Sequence, residues 1–107
     1  MADRLEERLR RIQEDFSRAL PARIDEFASV WDSSEAPAAL LKRAHVLAHR
    51  LAGGAGTLGQ AELGQASKAL ELDIQALLEG AGDLDAELRS RFRDRTRGLL
   101  SCIQGLP

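Results

Sequence analysis

Apolar residues recur at intervals of three and four along almost the whole chain, and nowhere do they alternate. Leu5, Leu9, Ile12, Phe16 and Leu20 open the pattern, and Ile24, Phe27, Val30 and Trp31 continue it past Pro21. A 3.6-residue turn places such positions on one face of a helix, whereas a half-buried strand needs a period of two. No segment of four or more residues alternates or is rich in β-branched types, so nothing here builds a sheet. The chain is therefore all-α.

Proline is tolerated in a first helical turn and disturbs a helix interior, so the opening pattern is expected as two helices, over residues 3–19 and 21–32, with a turn at 32–36. The next helix is expected over about 37–56, with the chain reversing at 57–60. Leu63, Ala66, Leu70, Ile74, Leu77 and Leu78 mark another helix. Gly80, Ala81 and Gly82 stop it, and Asp83 is expected to cap the last one, which carries Leu84, Leu88, Phe92, Leu99 and Ile103. Short turns between long amphipathic helices make neighbours antiparallel. The expected architecture is an up-and-down antiparallel four-helix bundle with an additional N-terminal helix.

At 107 residues and 44% hydrophobic, the chain has the size and balance of one domain, 1–107. That length supports a core without disulfides, and the single Cys102 is read as a packed thiol. Fifteen Lys and Arg against 17 Asp and Glu leave no basic excess to hold a nucleic-acid backbone. Arg8, Arg10 and Arg11 are flanked by Glu6, Glu7, Glu14 and Asp15, as on an ordinary solvated helix face. No apolar run approaches the ~20 residues of a membrane span, and the charged amino terminus is unlike a secretion signal. A cytoplasmic, monomeric protein with neither nucleic acid nor membrane insertion is expected.

The helix over 37–56 carries an internal conflict. Leu40, Leu41, Ala44, Leu47, Ala48, Leu51, Ala55 and Leu58 share one stripe, and His49 projects roughly 140° from its centre, toward solvent. Gly53 is one turn on, beside the imidazole. A mid-helix glycine costs up to ~1 kcal/mol against alanine, and such local conflicts mark functional sites. Gly54 and Gly56 are also read as the approach to the helix end, with Gly59 closing the turn. Gly53, in step with His49, has no such explanation.

These residues resemble the histidine phosphotransfer (HPt) domain, a four-helix carrier of phosphoryl groups in two-component phosphorelays. The resemblance rests on Leu51, Gly53, Gly54, Ala55, Leu58, Gly59, Leu63, Leu70 and Glu71 at their spacings from His49, and on Phe16, Leu20 and Pro21 upstream. It implies that His49 is the phosphoacceptor, relaying phosphoryl to or from the aspartate of a response-regulator receiver domain, with a receiver or a hybrid sensor histidine kinase as partner. No cofactor is expected in the chain, and magnesium belongs to the receiver. Such a protein is a phosphocarrier without a nucleotide site, rather than an independent enzyme.

Neutral imidazole attacks phosphorus through one nitrogen while a carboxylate holds the proton on the other, and Glu71 is the candidate carboxylate. The family usually has lysine three residues after the histidine, where this chain has Ala52. A phosphoryl group adds about −1.5 to −2 charges, so a cation is missing, and Lys68, on the same helix flank as Glu71, is the candidate replacement. The alternative is a silent adaptor that docks a receiver without phosphotransfer. The docking face is expected at Lys42, His45, Val46, Ala52, Gly53 and Gly56. His45 and His49, one turn apart, match zinc-ligand spacing, but no glutamate follows His45 and no third ligand is apparent. The glycines lack the Gly-Lys-Ser/Thr of a phosphate loop.

Overall fold

A computed structural model describes residues 2–105. Four helices form the bundle: α1 (Ala2–Val30), α2 (Pro37–Thr57), α3 (Ala61–Leu78) and α4 (Ala86–Gly98), followed by a 3-10 turn at Leu99–Cys102. The described residues contain no strand.

The additional N-terminal helix expected from Pro21 is absent, because α1 runs unbroken through that proline. An interior proline costs about 3 kcal/mol. Against it stands one continuous stripe of Phe16, Leu20, Ile24, Phe27, Val30 and Trp31, all buried. Each large side chain contributes roughly 1.5–3 kcal/mol on burial. Pro21 lies off this stripe, so the sum outweighs the lost backbone bond. Trp31 closes the stripe: its ring stacks on Phe92 of α4 at 5.0 Å, and its Nε1–H donates to Thr96 Oγ1 at 2.9 Å.

The stripe also runs the other way, through Leu5, Leu9 and Ile12, but there it meets no partner and stays exposed. The bundle ends near Phe16 and Gln60. Gln60 is buried and ties three segments: its Nε2 donates to Ser17 Oγ and to the Gln104 carbonyl, while its Oε1 accepts from Gln104 N–H.

The turn after α2 closes on Gly59 at φ +85°, and that after α3 on Gly80 at φ +93°. Both conformations favour glycine. The cap of α4 is Asp85, which accepts the Leu88 N–H at 2.7 Å. It takes the place of the expected Asp83 because α4 starts at Ala86, and the side chain of the residue just before the helix reaches the third helical amide, that of Leu88. Cys102 is half-buried against the core.

Candidate functional site

The α2–α3 hairpin is set by a close approach of two backbones. A Cβ on buried Gly64 would lie 3.2 Å from Gly56 N and 3.4 Å from Gly56 Cα, so a side chain there would press on the α2 backbone at this separation. Seven residues before Gly56 is His49, and seven after Gly64 is Glu71. Two turns in opposite directions from one crossing bring these side chains together. The same register puts Lys68 across from Ala52.

His49 is 68% exposed at its side chain, as its phase requires. Its Nδ1 lies 2.9 Å from Glu71 Oε2. Glu71 is only 4% exposed. Burial by itself raises its pKa, but the His49 hydrogen bond and the Lys68 charge outweigh that and hold it below the ordinary glutamate value. The carboxylate is thus ionised at neutral pH and only accepts. The proton of the shared hydrogen bond sits on His49 Nδ1, so in the neutral form of the ring the lone pair is on Nε2.

Lys68 Nζ reaches Glu71 Oε1 at 3.4 Å and remains half-exposed. His45 stacks against His49, with ring centroids 6.4 Å apart and planes 10° from parallel. Its Nε2 is 3.7 Å from Glu71 Oε2 and has no hydrogen-bond partner. One buried carboxylate is therefore approached by three basic groups. Among the described residues, no three His, Cys, Asp or Glu side chains gather as a metal site.

His49, Ala52, Gly53, Gly56, Lys68 and Glu71 surround one shallow depression. Lys42 and Val46 are exposed on the same helix but outside it, and Val46 borders α1 instead. His45 and Ala52 are partly covered. The far wall comes from α3, through Ala61, Gln65, Ala69 and Leu72, which the sequence reading missed. Leu72 carried the available signal: it is a leucine out of phase with the apolar stripe of its helix, and it is 51% exposed. The three glycines separate. Gly54 is taken up by packing, since a Cβ there would stand 2.8 Å from the Phe16 ring, whereas at Gly53 and Gly56 it would meet nothing within 4 Å.

No described helix is long and apolar enough to cross a membrane. Comparison with curated proteins and with solved structures returns no match. The family model of the Hpt domain matches residues 1–102, nearly the whole chain. The chain therefore belongs to the Hpt domain family, the phosphotransfer intermediates of phosphorelays.

Proposed function

We propose that this chain carries phosphoryl on His49, exchanging it with the aspartate of a response-regulator receiver domain or with a hybrid sensor histidine kinase. The observation that supports it best is the 2.9 Å bond from His49 Nδ1 to a buried, ionised Glu71. A carboxylate in that place fixes the tautomer and raises the basicity of the other nitrogen.

In the transfer, His49 Nε2 attacks the phosphorus of an aspartyl phosphate. The N–P bond forms as the acyl O–P bond breaks, and the aspartate leaves as a carboxylate. The imidazolium that results keeps its Nδ1 proton, and Glu71 balances its charge. In the reverse direction the phosphoimidazole is the donor, and the same proton makes it the better leaving group. Magnesium is assigned to the receiver, so this chain contributes nucleophile and position rather than metal or nucleotide chemistry. Lys68 is assigned to the phosphoryl oxygens. The docking surface combines Lys42, His45, Val46, Ala52, Gly53 and Gly56 with the exposed ridge of α3.

Ala52, in place of the family's usual lysine, supports a second reading, an adaptor that docks a receiver without accepting phosphate. Incubation with phosphorylated receivers separates the two. The carrier reading expects acid-labile, base-stable phosphate on the chain, absent in His49→Gln and retained in His45→Ala. Receiver binding without any labelling leaves the adaptor, and labelling that persists in His49→Gln overturns the assignment.

A further inference from the structure

The amino-terminal half of α1 takes no part in this site, and its sequence is unlike the rest. Between Asp3 and Asp15 the only apolar residues are Leu5, Leu9 and Ile12, and every other position but Gln13 is charged. The three are 60%, 49% and 51% exposed. With Phe16 they follow a 4-3-4 spacing, which is d, a, d, a of a heptad. From Phe16 onward the stripe broadens to Leu20, Ile24, Phe27, Ala28, Val30 and Trp31 and is covered by the bundle. Before it, the stripe is only two residues in seven wide, the width of a seam that one helix covers.

We propose that this seam is covered by the same segment of a second copy of the chain, running antiparallel, in place of the monomer expected from the sequence. The direction follows from the phase. The stripe that faces a partner in the first half of α1 faces the chain's own bundle in the second half, so a parallel partner helix would run into that bundle. An antiparallel one carries its own bundle to the opposite end of the seam. Leu9 then packs on the partner's Ile12, and Leu5 on the partner's Phe16, covering the edge of a ring that is still 7% exposed.

Charge points the same way. In this register the flanking positions set Arg8 against the partner's Asp15, twice by symmetry, and Glu6 against the partner's Gln13. Parallel pairing would set Arg8 against Gln13 and bring no opposite charges together. Among the described residues, Asp15 has only an exposed contact to Arg18 at 3.7 Å. Exposed pairs add little affinity, but they select orientation. A seam this short makes a weak, concentration-dependent dimer.

Sedimentation equilibrium of the full chain, from micromolar to millimolar, is expected to show the mass rising toward twice the monomer's. Leu9→Asp should hold it at the monomer throughout, with helicity and His49 labelling unchanged. Arg8→Glu and Asp15→Arg should each weaken association several-fold, and the double exchange should restore it. In a Cys102→Ser background, Leu5→Cys should form no intermolecular disulfide, because antiparallel copies hold those positions eleven residues, about 16 Å, apart along the helix. A chain that stays monomeric, a dimer that survives Leu9→Asp, a charge exchange that fails to restore association, or ready cross-linking through Leu5→Cys would each overturn the proposal.

Discussion

Gly53 and Gly64 lie eleven residues apart in one helical hairpin and serve opposite purposes. Gly64 is buried, and a Cβ on it would press on the Gly56 backbone. Gly53 is exposed, and a Cβ on it would meet nothing within 4 Å. Both break helix propensity. The first does so to bring two helices together, and with them His49 and Glu71. The second gains nothing inside the molecule, and on the proposed docking face its missing side chain leaves room for a partner. A glycine at a close crossing belongs to the fold, and under the proposed function the one beside exposed His49 belongs to the partner.

The largest effects should come from exchanging the two. Gly64→Leu forces a side chain into a backbone contact and is expected to cost about 3 kcal/mol, read as a lowered midpoint in urea. It should also lose transfer, because α3 carries Glu71 away from His49. Gly53→Gln should raise stability by about 0.5 kcal/mol through helix propensity while slowing phosphoryl transfer from a receiver at least tenfold. Small phosphodonors such as acetyl phosphate should label that variant normally. If Gly53→Gln unfolds the protein, or transfers from a receiver at the native rate, the contrast between the two glycines fails.

Glu71 belongs to both sides of the comparison, since it is buried with the fold and acts on the site. Glu71→Leu removes the acceptor for His49 Nδ1 and is expected to slow transfer about 10- to 100-fold, the usual cost of losing such an orienting partner. Glu71→Gln keeps an acceptor oxygen and loses the charge, so its loss should be smaller. Stability should separate Glu71→Gln from the native chain by pH. The Glu71 carboxyl is held below its ordinary value, so its contribution is complete above the unfolded-state pKa and is lost as pH falls through the folded one. The native chain should be more stable than Glu71→Gln at neutral pH, and the difference should close below the ordinary glutamate range. A gap that stays constant on acidification would mean that the ionised carboxylate adds nothing to the fold.

Phase made the helices legible in the sequence, and phase is also where His49, Gly53 and the Glu71 flank could be read. A period reports which residues share a face, but it does not report what covers that face. Leu5, Leu9 and Ile12 therefore keep the period of Leu20 and Ile24 on a narrower stripe, and nothing in that period says that only Leu20 and Ile24 meet the bundle. Pro21 misled for a related reason: its local cost is visible along the chain, and the burial that offsets it is not. Long-range partners were out of reach too. Gln60 bonds to Ser17 and Gln104, more than forty residues away in either direction. Gly64 has its meaning only once α2 and α3 are in register.

That register also sharpens the question of the missing lysine. Ala52 and Lys68 stand across from each other at the mouth of the depression, one turn from His49 and Glu71. A cation reaching the phosphoryl group from either helix enters the same space. If Lys68 serves the phosphoryl group, as proposed, Lys68→Ala should slow transfer several-fold. Ala52→Lys alone should change little, because its ammonium duplicates one already present. In the double variant, Ala52→Lys with Lys68→Ala, transfer should return toward the native rate, since the charge has only moved to the opposite wall. Rapid-quench kinetics of the four proteins measure this directly. If Ala52→Lys accelerates the native chain as much as it rescues Lys68→Ala, the two effects are independent, and Lys68 serves Glu71 rather than the phosphoryl group.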